Sequence, residues 1–211
     1  VVEKPIAIKA GLGWLGKHTN LLNRSSGSYF FLGEIYTDLP LIETGEVAEH
    51  CGSCSACMSI CPTQAIIQPY VLDANRCLSY LTIEYAGPIP LEFRSLMGNR
   101  IYGCDDCQLI CPWNRFATIS QETDFKIRHQ LDNAYLIELF VWDEAEFLEK
   151  MAGSPIRRIG YERWLRNLAV ALGNAPRQLR TQQALLAKLE QPISFLVREH
   201  IEWALDQYAK T

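Results

Sequence analysis

The sequence predicts an α+β chain in which a cysteine-bound module separates a glycine- and aromatic-rich start from an all-α C-terminal part. Three observations support this. All eight cysteines lie between Cys51 and Cys111. Residues 28–38 are dense in aromatic and β-branched side chains, the composition of a buried strand. From Asp143 onward, helix caps and a helical apolar period recur. The 211 residues, 48% of them hydrophobic, suffice for one large or two modest domains. No apolar run reaches the length of a membrane span. A net charge of -4 excludes a polycation overall.

The chain opens Val1-Val2-Glu3-Lys4-Pro5 and reads as the middle of a longer protein. Gly11, Gly13 and Gly16 then spell G-x-G-x-x-G. A dinucleotide-binding turn needs a hydrophobic strand before it and a helix after it. Pro5 and Lys9 upstream, and His18-Thr19-Asn20 downstream, fit that poorly. The expected role is a glycine loop that lets backbone approach another flat or bulky ligand closely. In the strand expected over 28–38, Gly33 marks a bulge or a ligand contact.

The cysteines carry the chemistry. Cys51, Cys54, Cys57 and Cys61 read C-x2-C-x2-C-x3-C, followed by Pro62. Cys104, Cys107 and Cys111 read C-x2-C-x3-C, followed by Pro112. This is the run of two-cluster ferredoxins, in which the last Cys of each run ligates the other cluster. Ile101 stands where the second run would begin, and Cys77 is the spare that completes two sets of four. The expected ligands are Cys51, Cys54, Cys57 and Cys111 for one [4Fe–4S] cluster. Cys61, Cys77, Cys104 and Cys107 would hold the other. Disulfides would need an oxidising compartment, and nothing in the chain resembles a secretory signal. Structural zinc also uses C-x2-C pairs, but needs neither the third Cys nor the Cys-Pro that ends each run. Reduced cysteines point to the cytoplasm. Within the module, Asp73 is expected to cap a helix reaching Glu84, with Cys77 and Tyr80 on neighbouring turns.

Beyond Pro112 the charge separates. Residues 121–150 carry eight acidic and three basic residues, whereas residues 151–180 carry six arginines and only Glu162. Asp143 and Glu146 form a capping box, and Ser154-Pro155 is an N-cap followed by Pro. Tyr161 to Leu172 sets Trp164, Leu165, Leu168 and Leu172 on one face, with Gly173 closing the helix. Thr181 starts another helix, and Ile193 to Ala209 a third. Leu165-Arg166 and Val197-Arg198 stand 32 residues apart, as stacked helix pairs of an α-solenoid would place them. The block Arg157, Arg158, Arg163, Arg166, Arg177 and Arg180 is either an ordinary solvated face or the footprint of a phosphate-backbone partner.

Taken with their neighbours, these residues resemble epoxyqueuosine reductases, the cobalamin-dependent iron–sulfur enzymes of queuosine-tRNA maturation. The resemblance rests on Lys9 to Trp14, on Cys51 to Pro62, on Asp73 to Thr82 and on Met97 to Asn114. It continues through Arg157 to Gly160 and Arg163 to Asn167. It implies the end of a cobalamin-binding α/β domain over 1–48 and a two-[4Fe–4S] ferredoxin-like module over 49–118. A HEAT-like helical domain that contacts tRNA would follow over 119–211. The implied reaction reduces an epoxide on the wobble nucleoside of tRNAs for Tyr, His, Asn and Asp, with the clusters relaying electrons to cobalamin from an external one-electron donor. The implied general acid, an Asp, would lie before Val1, so no catalytic residue is assigned within the chain, which alone would be inactive. Candidate cobalamin contacts are Gly11, Gly13, Leu32, Ser79, Tyr80, Thr82 and Asp105. Candidate tRNA contacts are Arg100, Arg157 and Arg158, with Trp113 or Tyr102 to stack on a base. None of His18, His50, His129 and His200 is assigned to cobalt. The chain is expected to act as a monomer away from membranes. Two other readings are a ferredoxin-like electron-transfer module without its own substrate and a cobalamin-dependent reductive dehalogenase-like enzyme.

Overall fold

A computed structural model describes residues 2–42 and 44–209; Val1, Glu43, Lys210 and Thr211 lie outside the described residues. The chain is helix-rich α+β. In order, the elements are α1 (Glu3–Lys9), β1 (Trp14–Leu15), β2 (Leu21–Leu22), α2 (Ala56–Ile60), β3 (Ile66–Gln68) and β4 (Val71–Leu72). Then come α3 (Leu78–Ile83), α4 (Leu91–Met97), α5 (Asp106–Leu109), α6 (Leu136–Phe140) and α7 (Glu144–Lys150). The last three are α8 (Gly160–Asn174), α9 (Leu179–Leu189) and α10 (Phe195–Ala209). Contacts group these into two units, Val1–Cys77 with Asp105–Gln121, and Leu78–Cys104 with Glu122–Thr211. No described helix is long and apolar enough to cross a membrane.

In the first unit, β1 and β2 form a tight antiparallel hairpin pairing Trp14 with Leu22. The glycines belong to that hairpin. A Cβ on Gly13 would fall 2.0 Å from the Leu22 carbonyl oxygen, and one on Gly16 would fall 2.8 Å from the His18 ring. Helix α1, not a strand, precedes the glycines, so they form no dinucleotide-binding turn. The strand expected over 28–38 is also absent. Phe31 and Ile35 are 85% and 93% exposed in an irregular stretch. Composition favours a strand only where a neighbouring edge can accept its hydrogen bonds, and neither short hairpin extends to this segment.

The helix expected over 73–84 is broken. Asp73 accepts a bond from the Asn75 amide and caps only a 3-10 turn over Ala74–Arg76. Cys77 is extended, and α3 begins after it.

In the second unit, α8 is buried continuously from Trp164 to Leu172 and packs against α10, α6, α7 and α4. Over that span the helix is enclosed on all sides and acts as a core element. Trp164 stacks on Trp142 at 5.9 Å. Gly173 does not end α8, which runs to Asn174. A Cβ there would sit 2.7 Å from the Trp203 ring and 2.9 Å from Ala204 Cα, so the glycine admits α10. The N-caps stand, but of the capping box expected at Asp143 and Glu146 only the Asp143 arm is made, since the Glu146 carboxylate pairs with Lys150 at 3.2 Å. Asp143 accepts from the Glu146 amide at 2.8 Å, and Ser154 accepts from the Ile156 amide at 3.2 Å.

His200 on α10 ties the loop before α4 to this core. Its Nε2 accepts from the Ile89 amide at 3.0 Å while Nδ1 bonds the Leu196 carbonyl at 2.7 Å, so the ring is neutral. Burial lowers its pKa from 6.5 to about 4. An unfolded His200 takes up a proton near pH 6.5, whereas the folded one resists until about 4, so stability falls as pH drops through that window. Hydrogen exchange at the Ile89 amide should accelerate between pH 6.5 and 4 beyond the intrinsic pH trend. In His200→Leu this extra acceleration should be absent.

Candidate metal centre

The two cysteine runs lead into two short helices, α2 and α5, that pack on each other. Each helix follows a Cys-containing loop and is followed by a Cys-Pro, so the thiols of one run come close to the end of the other. A cavity of about 240 Å³ results in the first unit, lined by Cys51, Cys54, Cys57 and Cys111 together with Lys17, His18, His50 and Trp113. These four cysteines are the set predicted from spacing for one cluster.

The surroundings suit an anionic sulfur cage. Lys17 Nζ donates to the carbonyls of Gly52 (2.5 Å) and Cys54 (2.9 Å), pinning the loop that carries two thiols. Burial and the charges of Cys51, Cys111 and Cys54 push the Cys57 thiol above its ordinary range. Burial likewise raises Cys111, opposed by the backbone amides of Trp113 and Asn114 that point at its sulfur. Four thiolates crowded this way repel one another until a cationic centre neutralises them. Among the described residues, no three His, Cys, Asp or Glu side chains converge on a position for a single metal ion. An iron–sulfur cube takes its four thiolates on four different irons around one cage, whereas zinc gathers its ligands on a single ion.

Behind the cavity lies an aromatic wall. Trp14 meets His50 and Trp113 edge-on, each at 4.9 Å, and Trp113 Nε1 donates to the His50 carbonyl at 3.3 Å. Arg24 Nη2 lies 2.6 Å from His50 Nε2. Asn114 fixes the exit from Cys111 by accepting from the Ser28 amide at 2.6 Å and donating to the Gln108 carbonyl at 2.6 Å. Trp113 is thus engaged inside this wall. His18 and His50, which carry no sequence pattern, both reach the cavity. Their one retrospective signal is position, directly after the glycine loop and directly before Cys51.

Of the other four cysteines, Cys61, Cys77 and Cys107 belong to the first unit, and Cys104 ends a segment of the second. Cys61 Sγ accepts from the Ala65 amide at 3.2 Å, and Arg76 clamps the Thr63 carbonyl through Nε (3.0 Å) and Nη2 (2.9 Å). Cys104 packs against the cluster of Leu78, Leu81 and Phe93 in its own unit. No described cysteine forms a disulfide.

The remaining candidates are scattered. Gly11 lies behind Gly45, and Leu32 lines a hollow of about 210 Å³ with Leu12 and Phe31. Ser79 and Tyr80 are half-buried on α3, and Asp105 accepts from Gln108 Nε2 at 2.9 Å. Thr82 is fully buried. Its hydroxyl donates to the Leu78 carbonyl at 2.7 Å and accepts from the Gly103 amide at 2.9 Å, positioning the segment that ends in Cys104.

The arginine block divides by role. Arg157 is exposed and, among the described residues, carries no ion pair. Arg158 is exposed but forks onto Glu84 with two bonds of 2.9 Å, which hold the Glu84 carboxyl below its usual range. Arg100 is half-buried and donates to the Met97 carbonyl at 3.1 Å. Arg163 bonds the carbonyls of Ile159 (2.6 Å) and Ile83 (3.0 Å). Arg166 is buried and bonds only protein. Reading the whole block as a phosphate footprint therefore overcounts: Arg166 is structural, and Arg163 is committed to backbone.

Residues 50–114 match the family described as a 4Fe-4S double cluster binding domain. Over 212 residues the chain is 61% identical to the epoxyqueuosine reductase of Pseudomonas aeruginosa, with 100% of this chain and 58% of that protein covered. The structure of an epoxyqueuosine reductase from Streptococcus thermophilus aligns with a TM-score of 0.88 and 30% identity, covering 100% of this chain and 55% of that one. A crystal structure of epoxyqueuosine reductase with an epoxyqueuosine-modified tRNA-Tyr stem loop aligns at 27% identity and a TM-score of 0.80, over 98% of this chain and 63% of that one. The resemblance read from the sequence therefore holds along the whole chain, which spans little more than half the length of these relatives.

Proposed function

We propose that this chain is the cluster-bearing and helical portion of an epoxyqueuosine reductase, acting on the wobble nucleoside of tRNA. The observation that carries the reading is the cavity in which four cysteines, chosen by spacing, come together with amides and a lysine around them. The reaction takes an epoxide, two electrons and two protons to an alkene and water. Each [4Fe–4S] cluster carries one electron at a time, so two clusters suit a two-electron reduction fed by a one-electron donor. Cys51, Cys54, Cys57 and Cys111 would hold one cluster, and Cys61, Cys77, Cys104 and Cys107 the other, the latter set assigned on spacing. The tRNA assignment draws on the likeness to a reductase crystallised with a modified stem loop.

Cobalamin enters this reading from the family resemblance, together with the layout of 1–48, 49–118 and 119–211. When bound, it would supply a low-valent cobalt able to act on the strained C–O bond. The hollow beside Leu32, about 210 Å³, is smaller than an ordinary ligand pocket and far smaller than a corrin needs. These residues thus offer at most one wall of such a site, with Gly11, Gly13, Ser79, Tyr80 and Asp105 as further candidates and Thr82 in a positioning role. The cysteines hold the electron carriers, Lys17 and the amides after Cys111 steady their loops, and the aromatic wall of Trp14, His50 and Trp113 keeps water from one side.

For tRNA, Arg157 is the strongest phosphate candidate because its guanidinium is uncommitted. Arg158 must first leave Glu84, and Arg100 adds a third. Charge reversal Arg157→Glu should weaken binding of an epoxyqueuosine-modified stem loop about tenfold and reduce the slope of affinity against salt by about one. The double reversal with Arg158→Glu should weaken it further. Binding that ignores salt, and ignores both substitutions, would leave an electron-transfer module without its own nucleic-acid substrate.

A further inference from the structure

We propose that His18 donates a hydrogen bond from Nε2–H to a sulfur of the cluster held by Cys51, Cys54, Cys57 and Cys111, and so sets that cluster's reduction potential. The inference rests on the iron–sulfur part of the proposed function and on neither its tRNA nor its cobalamin part. His18 is 4% exposed and lines the cavity framed by those cysteines. Its Nδ1 accepts from the Asn20 amide at 3.1 Å, so in the neutral ring the proton sits on Nε2. That Nε2 is buried and has no hydrogen-bond partner in the protein. A buried donor left unpaired forfeits its hydration with nothing in return, and native proteins rarely tolerate one. A cube in the cavity would bring sulfurs, which are acceptors, to the wall where the ring lies.

The surrounding sequence is built to hold the ring there. Gly16 has no side chain because a Cβ would collide with His18 Cε1 at 2.8 Å and with Leu22 Cδ1 at 2.8 Å. The third glycine of the G-x-G-x-x-G stretch thus clears space for an imidazole. Lys17, one residue earlier, fastens the Gly52–Cys54 loop, so neighbouring residues fix the ring and the thiols relative to each other. Hydrogen bonds to cluster sulfurs favour the reduced cube, whose sulfurs carry more negative charge, and raise its potential.

The test uses reconstituted protein with iron and sulfide counted. In His18→Phe one of the two midpoint potentials should move to a more negative value with iron content unchanged; in His18→Gln, whose amide restores a donor near Nε2, it should return towards the wild-type value. Phe offers neither a donor nor an acceptor whereas the Gln carboxamide offers both, so the return in His18→Gln tracks the regained polar contact. Two unchanged potentials in His18→Phe would overturn the proposal. A measurement that needs no change at His18 decides the matter if His18→Phe loses iron. In a His50→Gln protein labelled with 15N-histidine, the reduced cluster should show a histidine nitrogen coupling and an exchangeable proton by pulsed electron–nuclear double resonance. Absence of that coupling overturns the hydrogen bond while leaving the clusters in place. Absence of iron from the wild-type protein defeats the cluster reading itself.

Discussion

Replacing Cys57 with Ser should empty one iron cage and spare the other, taking reconstituted protein from about eight irons per chain to about four. Cys57 is the one buried cysteine, so its serine hydroxyl would face the cube without being able to hold it as a thiolate does. Because the last Cys of each run is assigned to the cluster of the other, Cys111→Ser should give the same half-loss. Combining Cys57→Ser with Cys111→Ser should then cost no further iron, whereas adding Cys77→Ser to either should empty both sites. In a complete reductase carrying this chain as its cluster-bearing portion, epoxide reduction should fall by more than about a hundredfold in each single variant, since the relay is cut and metal-ligand losses exceed those of supporting residues. Independent, additive iron losses at Cys57 and Cys111 would show that the runs do not cross over. Zinc in place of iron would remove the basis for any electron relay.

How far the sequence led depends on what kind of interaction fixes each residue. That Cys51, Cys54, Cys57 and Cys111 meet at one cavity was legible because ligand chemistry constrains spacing directly. Caps at Asp143 and Ser154 were legible for the same reason, being local side chain to backbone bonds. Residues 28–38 misled because a strand is not local: aromatic and β-branched composition is only a preference until another edge pairs with it. Gly173 misled in the opposite sense. A glycine near a helix end suggests a stop, but here it makes room for Trp203 and Ala204 of α10, information that resides 30 residues away. His18 gave no signal beyond its position, since a single histidine after a glycine loop has neither period nor repeat. Its significance comes from an orphaned nitrogen that only three dimensions disclose.

Arg166→Met should destabilise the second unit by about 3–5 kcal/mol, a large share of the roughly 5–15 kcal/mol typical of a whole domain. Arg166 has 0% exposure, and every bond its guanidinium makes is to the protein. Nη1 donates to the carbonyls of Tyr85 (2.8 Å) and Gly87 (2.7 Å), and Nη2 to that of Leu81 (2.8 Å). Nε and Nη2 also meet Asn167 Oδ1 at 3.0 and 2.9 Å, while Asn167 Nδ2 holds the carbonyls of Thr82 (2.9 Å) and Ile101 (2.8 Å). One pair of adjacent residues on α8 thus satisfies the ends of α3 and the segment that leads into Cys104. Burial and the nearby Arg163 lower the guanidinium's pKa to about 10, so it stays charged at neutral pH and methionine cannot replace its bonds. Methionine fills similar volume but strands four acceptors in a dry core, and the cost is their desolvation rather than a cavity. Urea denaturation followed by the fluorescence of Trp142 and Trp164 should show the midpoint fall, while Arg157→Met, on the surface, should shift stability by no more than about 0.5 kcal/mol. The two arginines should therefore separate by readout, Arg157 moving tRNA affinity and Arg166 moving stability. A stable Arg166→Met protein that had lost tRNA binding would reverse those roles and return Arg166 to the phosphate-facing set.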